Sequence, residues 1–285
     1  MSQLFYRYKQ RIMEYLDEDL GYGDITSVTL IPRSQKAQGS LYFRESGVVS
    51  GLVEAATVFQ LLGCTVELCS RDGDYVTEHQ VLLKVKGLAR ALLSGERLAL
   101  NIIGRMAGIA TQTHSIVEAV EAENPSTRVA ATRKTLPGFR EFDKRAVIHG
   151  GGDPHRFRLD DCVLIKDNHL ELVPNISDAI ERVRESVSFT KRVEIEVRSL
   201  ESAIEAAEAG ADIIMFDNVS PEDTQKWLDE LSELSLRDGI IYESSGGITL
   251  ENAGSYAVAG VDVISVGALT HNVRSLDVKF EMEMV

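Results

Sequence analysis

From Leu4 to Leu20 the apolar residues recur at helical spacing, which predicts an amphipathic helix. The turn-rich stretch GYGDITS, Gly21 to Ser27, interrupts that spacing. Alternating apolar and polar positions around Ser40 to Val49 and at Cys64 to Leu68 then predict strands, and RDGDYVTEHQVLLKVKG, Arg71 to Gly87, reads as a hairpin. Helical spacing returns from Ala89 to about Glu121 and predicts either one long buried helix or two helices joined near Gly104 to Gly108. This first part reads as a separate α+β module.

After Pro125 the pattern becomes strand and helix in alternation. Short apolar runs end in polar residues at VAATRK (Val129 to Lys134), CVLIKDN (Cys162 to Asn168), RVEIEV (Arg192 to Val197), DIIMFDN (Asp212 to Asn218), IIYESSGG (Ile240 to Gly247) and VDVISVGAL (Val261 to Leu269). The helical stretches between them carry start and stop signals. Ser199 is placed to cap LESAIEAAEAG, which Gly210 ends, and Ser220 precedes a helix with Pro221 at its first position and Glu222 and Asp223 in its first turn. The polar strand ends recur about every twenty to thirty-five residues, the period of βα units in a barrel. About six units are present, too few for a full (β/α) barrel of eight. The fold class predicted is α/β: an N-terminal α/β sandwich domain followed by an incomplete (β/α) barrel. Domain limits are expected at 1–108 and 109–271, with 272–285 packing back on the first domain.

Composition narrows what such a barrel can do. The chain has 285 residues and a formal net charge of −14, an acidity that argues against nucleic acid and anionic membrane as partners. No run approaches the roughly 18 apolar residues of a membrane span, and the polar N-terminus MSQLFYRYKQRIM has no signal-peptide pattern, so a cytoplasmic protein is expected. The cysteines Cys64, Cys69 and Cys162 lack metal or CxxC spacing and read as buried thiols.

Against that acidity, the strand ends gather cations. In a barrel the carboxyl ends of the strands share one mouth, which here would hold Arg133, Lys134, Lys166, Glu196 and Asp217, with His155 and Arg156 added by the loop GGGDPHR. One reading pairs Arg133 with Asp217 and Lys166 with Glu196 as structural ion pairs. It leaves the excess of cations unexplained, whereas a bound polyanion explains it. The small-residue loops Ser245, Gly246, Gly247 and Val266, Gly267, Ala268 allow backbone N–H groups to approach a phosphate. Glu196 and Asp217 offer hard oxygens, too few to cage a metal but suited to Mg2+ shared with a phosphorylated substrate. The chemistry implied is transfer at a phosphorylated sugar.

TRKTLPG, GGGDPHR, LIKDNH, VEIEV, FDN and SSGGI, in this order and with GDITS and GERLALN upstream, resemble the quinolinate phosphoribosyltransferases over nearly the whole chain. The resemblance implies transfer of the phosphoribosyl group of phosphoribosyl diphosphate to quinolinate with decarboxylation, giving nicotinate mononucleotide, carbon dioxide and diphosphate. It implies that Arg133, His155, Arg156 and Lys166 hold the quinolinate dicarboxylate and that Lys134 lies near the diphosphate. Glu196 and Asp217 would then serve the ribose hydroxyls and Mg2+, and Ser245 to Gly247 with Val266 to Ala268 would cradle phosphate. Arg44 is a further candidate diphosphate contact. It also implies a homodimer, or an oligomer of dimers, in which Arg97 of GERLALN enters the neighbouring subunit's site. Leu136, Pro154 and Arg158 depart from the family's usual Thr, Asn and Gly, and they flank the acceptor motifs. Three other readings stay open: a transferase of this fold with another anionic heterocycle as acceptor, a Schiff-base aldolase using Lys166, and a catalytically inactive sugar-phosphate sensor.

Overall fold

A computed structural model describes residues 3–285, with side chains from Tyr8 onward. The chain divides into two compact units, one formed by residues up to Gln112 together with Val273–Val285, the other by Thr113–Asn272.

The first unit begins with helices α1 (Gln3–Leu20) and α2 (Ile25–Leu30). Helix α2 starts inside GDITS: Asp24 is its N-cap and accepts the Ser27 N–H at 2.9 Å. Strands β1 (Lys36–Phe43) and β2 (Gly47–Val48), helix α3 (Leu52–Leu61), and strands β3 (Thr65–Leu68), β4 (Tyr75–Val76) and β5 (Val81–Leu88) follow. Strand β5 pairs antiparallel with both β1 and β3, and the chain's last strand, Val278–Met284, covers the other edge of β1. Helix α3 packs on this sheet, with Phe59 stacked on Phe280 at a centroid distance of 5.2 Å. Cys64 is buried as expected, but Cys69 is exposed and Cys162 half-buried.

Helix α4 (Ala89–Glu123) is one continuous helix of 35 residues, unbroken at the glycines where a joint was possible. The reason those positions are glycine lies in close packing. A Cβ on Gly108 would fall far inside contact distance of the Arg274 carbonyl oxygen, and Gly104 accepts the Leu276 N–H at 3.0 Å. The returning C-terminal segment therefore lies directly on the α4 backbone.

The second unit is a ring of parallel strands: β6 (Arg128–Ala131), β7 (Val163–Ile165), β8 (Val193–Val197), β9 (Ile213–Asp217), β10 (Ile241–Ser245) and β11 (Val263–Val266). Their spatial order, β6-β11-β10-β9-β8-β7, leaves β6 and β7 unpaired with each other, so the six-stranded sheet is an open barrel. A single parallel bridge from Ala130 to Asp153 adds one rung beside β6. Helices α5 (Arg140–His149), α6 (Asp167–Leu170), α7 (Ile176–Ser186), α8 (Leu200–Glu208), α9 (Pro221–Glu233), α10 (Leu250–Val258) and α11 (Ala268–His271) alternate with the strands. Ser199 and Ser220 cap α8 and α9 by accepting the Ser202 and Asp223 N–H groups, with Pro221 in the first turn, and Gly210 takes a φ of +83° beyond α8.

Period-two alternation decides what the barrel encloses. On β8, Val193, Ile195 and Val197 are buried toward the outer helices, and on β9 and β10 Phe216 and Tyr242 join Trp227 there. The intervening positions, Glu194 and Glu196, Met215 and Asp217, Glu243 and Ser245, face the axis. That interior is polar where a barrel core is ordinarily filled with branched apolar side chains.

Candidate active site

At the carboxyl ends of the strands lies a cavity of about 460 Å³. Arg133, Lys134, His155, Arg156, Lys166, Glu196, Asp217, Ser245, Gly246 and Gly247 all line it. The structure thus gathers into one hollow residues separated by as much as two fifths of the chain. Ala131, Thr132, Leu164, Arg198, Met215, Asn218, Glu243 and Ser265 complete the wall, none of them singled out as a site residue from the sequence.

The loop Val266 to Ala268, read from a strand end, and Arg97 and Arg44, implied by the resemblance, do not line this cavity. Val266 is fully buried in β11, because alternation turns Ser265 toward the cavity and Val266 away from it. Gly267 and Ala268 are half-buried and do not line the cavity; Gly267 leaves room for the Lys134 stem, whose Cδ would stand 3.1 Å from an added Cβ. Arg97 is exposed on α4 in the first unit, and Arg44 of that unit pairs with Asp277 at 3.4 Å. Leu136 and Arg158 are exposed and Pro154 half-buried, and none of the three lines the cavity.

The ion pairs differ from the simplest expectation. Lys166 does bond Glu196 across adjacent strands, but Asp217 is held by Arg198, at 2.8 Å from Nε and 2.7 Å from Nη2. Arg198 also reaches Asp167 at 3.1 Å. Arg133 is left over: its Nε is buried and has no hydrogen-bond partner among the described residues. Burial first, then the charges of Arg156 and Arg140, pull its pKa below the usual guanidinium value. A buried donor without an acceptor, beside two like charges, is suited to an anionic ligand.

Backbone details hold the wall in shape. Lys166 is the N-cap of α6, and its N–H donates to His169 Nδ1 at 2.9 Å, which explains the histidine of KDNH. Gly246 has φ +98°, and a Cβ there would overlap the Asn218 side chain, whose Nδ2 donates to Asp217 at 2.9 Å. The SSGG loop and Asp217 are therefore fitted to each other.

At the cavity floor His155 meets two buried carboxylates. Its Nε2 lies 3.2 Å from Glu243 and 3.7 Å from Glu194. Burial opposes a charge on the imidazole, but the hydrogen bond and charge of Glu243, with the charge of Glu194, outweigh it and raise the pKa. Nδ1 nonetheless accepts the Arg156 N–H at 2.8 Å, and a second ring proton would break that bond. The geometry therefore keeps the ring as its neutral Nε2–H form. Burial, then Glu243, pushes the Glu194 carboxyl up to about 8. The ligand atoms of these three side chains lie within 4.8 Å of one another, a spacing at which they could hold a divalent ion. This cluster is distinct from Glu196 and Asp217, the pair singled out from sequence.

Comparison with known proteins decides the family. Models of the quinolinate phosphoribosyl transferase N-terminal and C-terminal domains match residues 24–107 and 109–281. The chain belongs to the quinolinate phosphoribosyltransferase family. This transferase is 45% identical to the probable carboxylating nicotinate-nucleotide pyrophosphorylase of Methanothermobacter thermautotrophicus, over 95% of this chain and 97% of that protein. It is 35% identical to the human carboxylating nicotinate-nucleotide pyrophosphorylase, over 89% of this chain and 84% of that one. A crystal structure of NadC from Streptococcus pyogenes superposes with a TM-score of 0.92 at 35% identity, covering 98% of each chain. The transferase is an enzyme, and no helix among its described residues is long and apolar enough to cross a membrane.

Proposed function

We propose that the cavity at the strand ends is where quinolinate and phosphoribosyl diphosphate meet. The enzyme transfers the phosphoribosyl group to the quinolinate nitrogen and releases carbon dioxide and diphosphate, leaving nicotinate mononucleotide. The observation that carries this reading is the convergence of Arg133, Arg156, Lys134 and Lys166 on one hollow of an acidic protein, with the Arg133 Nε unpartnered.

In this reading Arg133, Arg156 and Lys166 hold the two quinolinate carboxylates, and His155 supports Arg156 through the Nδ1 contact. The ring nitrogen attacks the anomeric carbon as the bond to diphosphate breaks, and positive charge develops on the ribose. Glu196 and Asp217, on neighbouring strands, face that charge and stabilise it. Lys134 and the amides of Ser245 to Gly247 take the phosphates. Two adjacent carboxylates with hard oxygens suit Mg2+, and Lys166 and Arg198, which now neutralise them, are displaceable by a cation. Mg2+ bound there with the substrate would neutralise charge on the departing diphosphate. Once ribosylated, the nitrogen is a permanent cation, so the bond to the adjacent carboxyl breaks with its electron pair left on ring carbon as an ylide, which then takes a proton. Little acid–base work falls on the protein, and positioning two anions carries most of the rate.

The direct test is an assay with quinolinate and phosphoribosyl diphosphate, with and without Mg2+, following nicotinate mononucleotide. Product is expected with quinolinate and Mg2+ and not with nicotinate in its place; turnover of nicotinate alone would overturn the acceptor assignment. The Schiff-base alternative loses ground because Lys166 is engaged with Glu196 as an ion pair.

The exposed Arg97 fits the expected homodimer, in which it would enter a partner's cavity. Arg97→Ala and Lys166→Ala chains should each be inactive alone and regain activity when mixed and reassembled, since one site in the mixed dimer then has both side chains intact. No recovery in a demonstrated mixed dimer would show that each site is complete within one chain.

A further inference from the structure

We infer that Lys144 is a positioning residue for the acceptor side of the site, its buried ammonium clamping the two carbonyls that flank His155 and thereby fixing Arg156 on the cavity wall. The inference rests on the acceptor role proposed above for Arg156.

Lys144 belongs to α5 and is fully buried, although lysine is among the residues least often enclosed. Its Nζ donates to the Pro154 carbonyl and, at 3.1 Å, to the Arg156 carbonyl, and it stands 5.8 Å from the centre of the Phe157 ring. Between the two carbonyls His155 takes a φ of +51°, a left-handed conformation uncommon for a residue other than glycine. Two carbonyls turned inward at a left-handed residue need a donor, and Lys144 supplies it.

The other bonds of the turn act in the same direction. The His155 N–H donates to Asp153 Oδ1 at 2.7 Å, the Arg156 N–H to His155 Nδ1 at 2.8 Å, and Arg140 Nη1 to the Phe157 carbonyl at 3.1 Å. Each orients backbone, yet the residues so held, His155 and Arg156, both line the cavity. Burial pushes the lysine pKa down to about 8, with Arg140, Arg133 and Arg156 adding to the effect and Asp153 opposing it. A buried cation kept among like charges is a poor stabiliser compared with an apolar side chain of the same size. Its place is explained if the turn it shapes matters for the reaction, since displacing a binding group by about 1 Å costs on the order of 10²-fold in rate.

The test uses the full-length enzyme, whose wild-type turnover of quinolinate first establishes the reading on which this one depends. Lys144→Met and Lys144→Gln are then compared by steady-state kinetics in each substrate, with circular dichroism and thermal melting as checks on folding. Lys144→Met is expected to raise the quinolinate KM at least tenfold while the phosphoribosyl diphosphate KM stays within twofold. Lys144→Gln, which keeps N–H donors without charge, should fall between Met and wild type. A purely structural lysine would change both KM values alike, or neither in the folded protein, and either result overturns the inference. So does failure of both variants to fold, which would make Lys144 a determinant of the fold itself.

Discussion

Replacing Arg133 with Met should lower kcat/KM for quinolinate by about 10²- to 10³-fold, with the loss concentrated in the quinolinate KM. Removing one partner of a buried, hydrogen-bonded charge pair costs about 2–5 kcal/mol, and every 1.4 kcal/mol is tenfold. Arg133 is suited to that role because the free protein leaves it incomplete. It follows β6 at the cavity rim, its Nε is buried without a partner, and Arg156 and Arg140 repel it. An arriving carboxylate supplies the missing acceptor and screens the repulsion at once. The same facts predict that the variant melts no lower than wild type, since it loses a repelled cation and keeps a side chain of similar length. Steady-state kinetics in both substrates, with melting curves, check the pair of expectations. Normal quinolinate kinetics would show that Arg133 faces no ligand.

How far the sequence carried the fold and the site depends on which physical signal each feature leaves. All six strands of the barrel announced themselves, because apolar runs ending in polar residues recur at βα spacing and the helices between them carry local caps such as Ser199 and Ser220. Short α2 left no comparable signal: six residues give hardly two turns of periodicity, and Asp24 reads as a turn residue until its cap is seen. Gly104 and Gly108 were ambiguous for another reason. A glycine that admits a crossing backbone and a glycine that breaks a helix look alike until Arg274 and Leu276 are placed against them.

The site shows the same division. Strand ends fixed Lys166, Glu196 and Asp217, but naming only the last polar residue of each run overlooked the alternation within it. In RVEIEV the inward partner of Glu196 is Glu194, and in IIYESSGG the inward partner of Ser245 is Glu243; both were legible from period two. The same rule adds Ser265 to the wall. Arg198 was less accessible, since which cation neutralises Asp217 is settled by side-chain reach across β8 and β9 rather than by any pattern.

Glu194→Gln should stabilise the enzyme in alkaline solution and leave it almost unchanged in acid. The Glu194 side chain is fully buried, its Oε1 lacks a hydrogen-bond partner among the described residues, and Glu243 stands nearby. His155 offers one N–H at Nε2, and Glu243 is the nearer acceptor at 3.2 Å. One N–H therefore faces two carboxylates, with the weak Cys162 S–H donor 3.9 Å from Glu194 Oε2 as the second partner, and Glu194, pushed up to about 8 by burial and then by Glu243, is mostly protonated in the folded protein at neutral pH. The unfolded chain ionises it near its ordinary value. Protonated Glu194 thus favours the folded state fully below about pH 4.5, and that contribution falls away as pH rises toward 8. Gln mimics the protonated carboxyl at every pH and escapes the loss, which amounts to on the order of 3–5 kcal/mol at one pH unit per 1.36 kcal/mol. Melting temperatures of wild type and variant at pH 5 and pH 9 give the comparison, with the difference expected to grow with pH. A divalent ion among His155, Glu194 and Glu243 would reverse the sign, because the ion requires both carboxylates ionised and an amide is a weaker ligand. The variant would then melt lower at pH 9, and a chelator would bring wild type down to meet it.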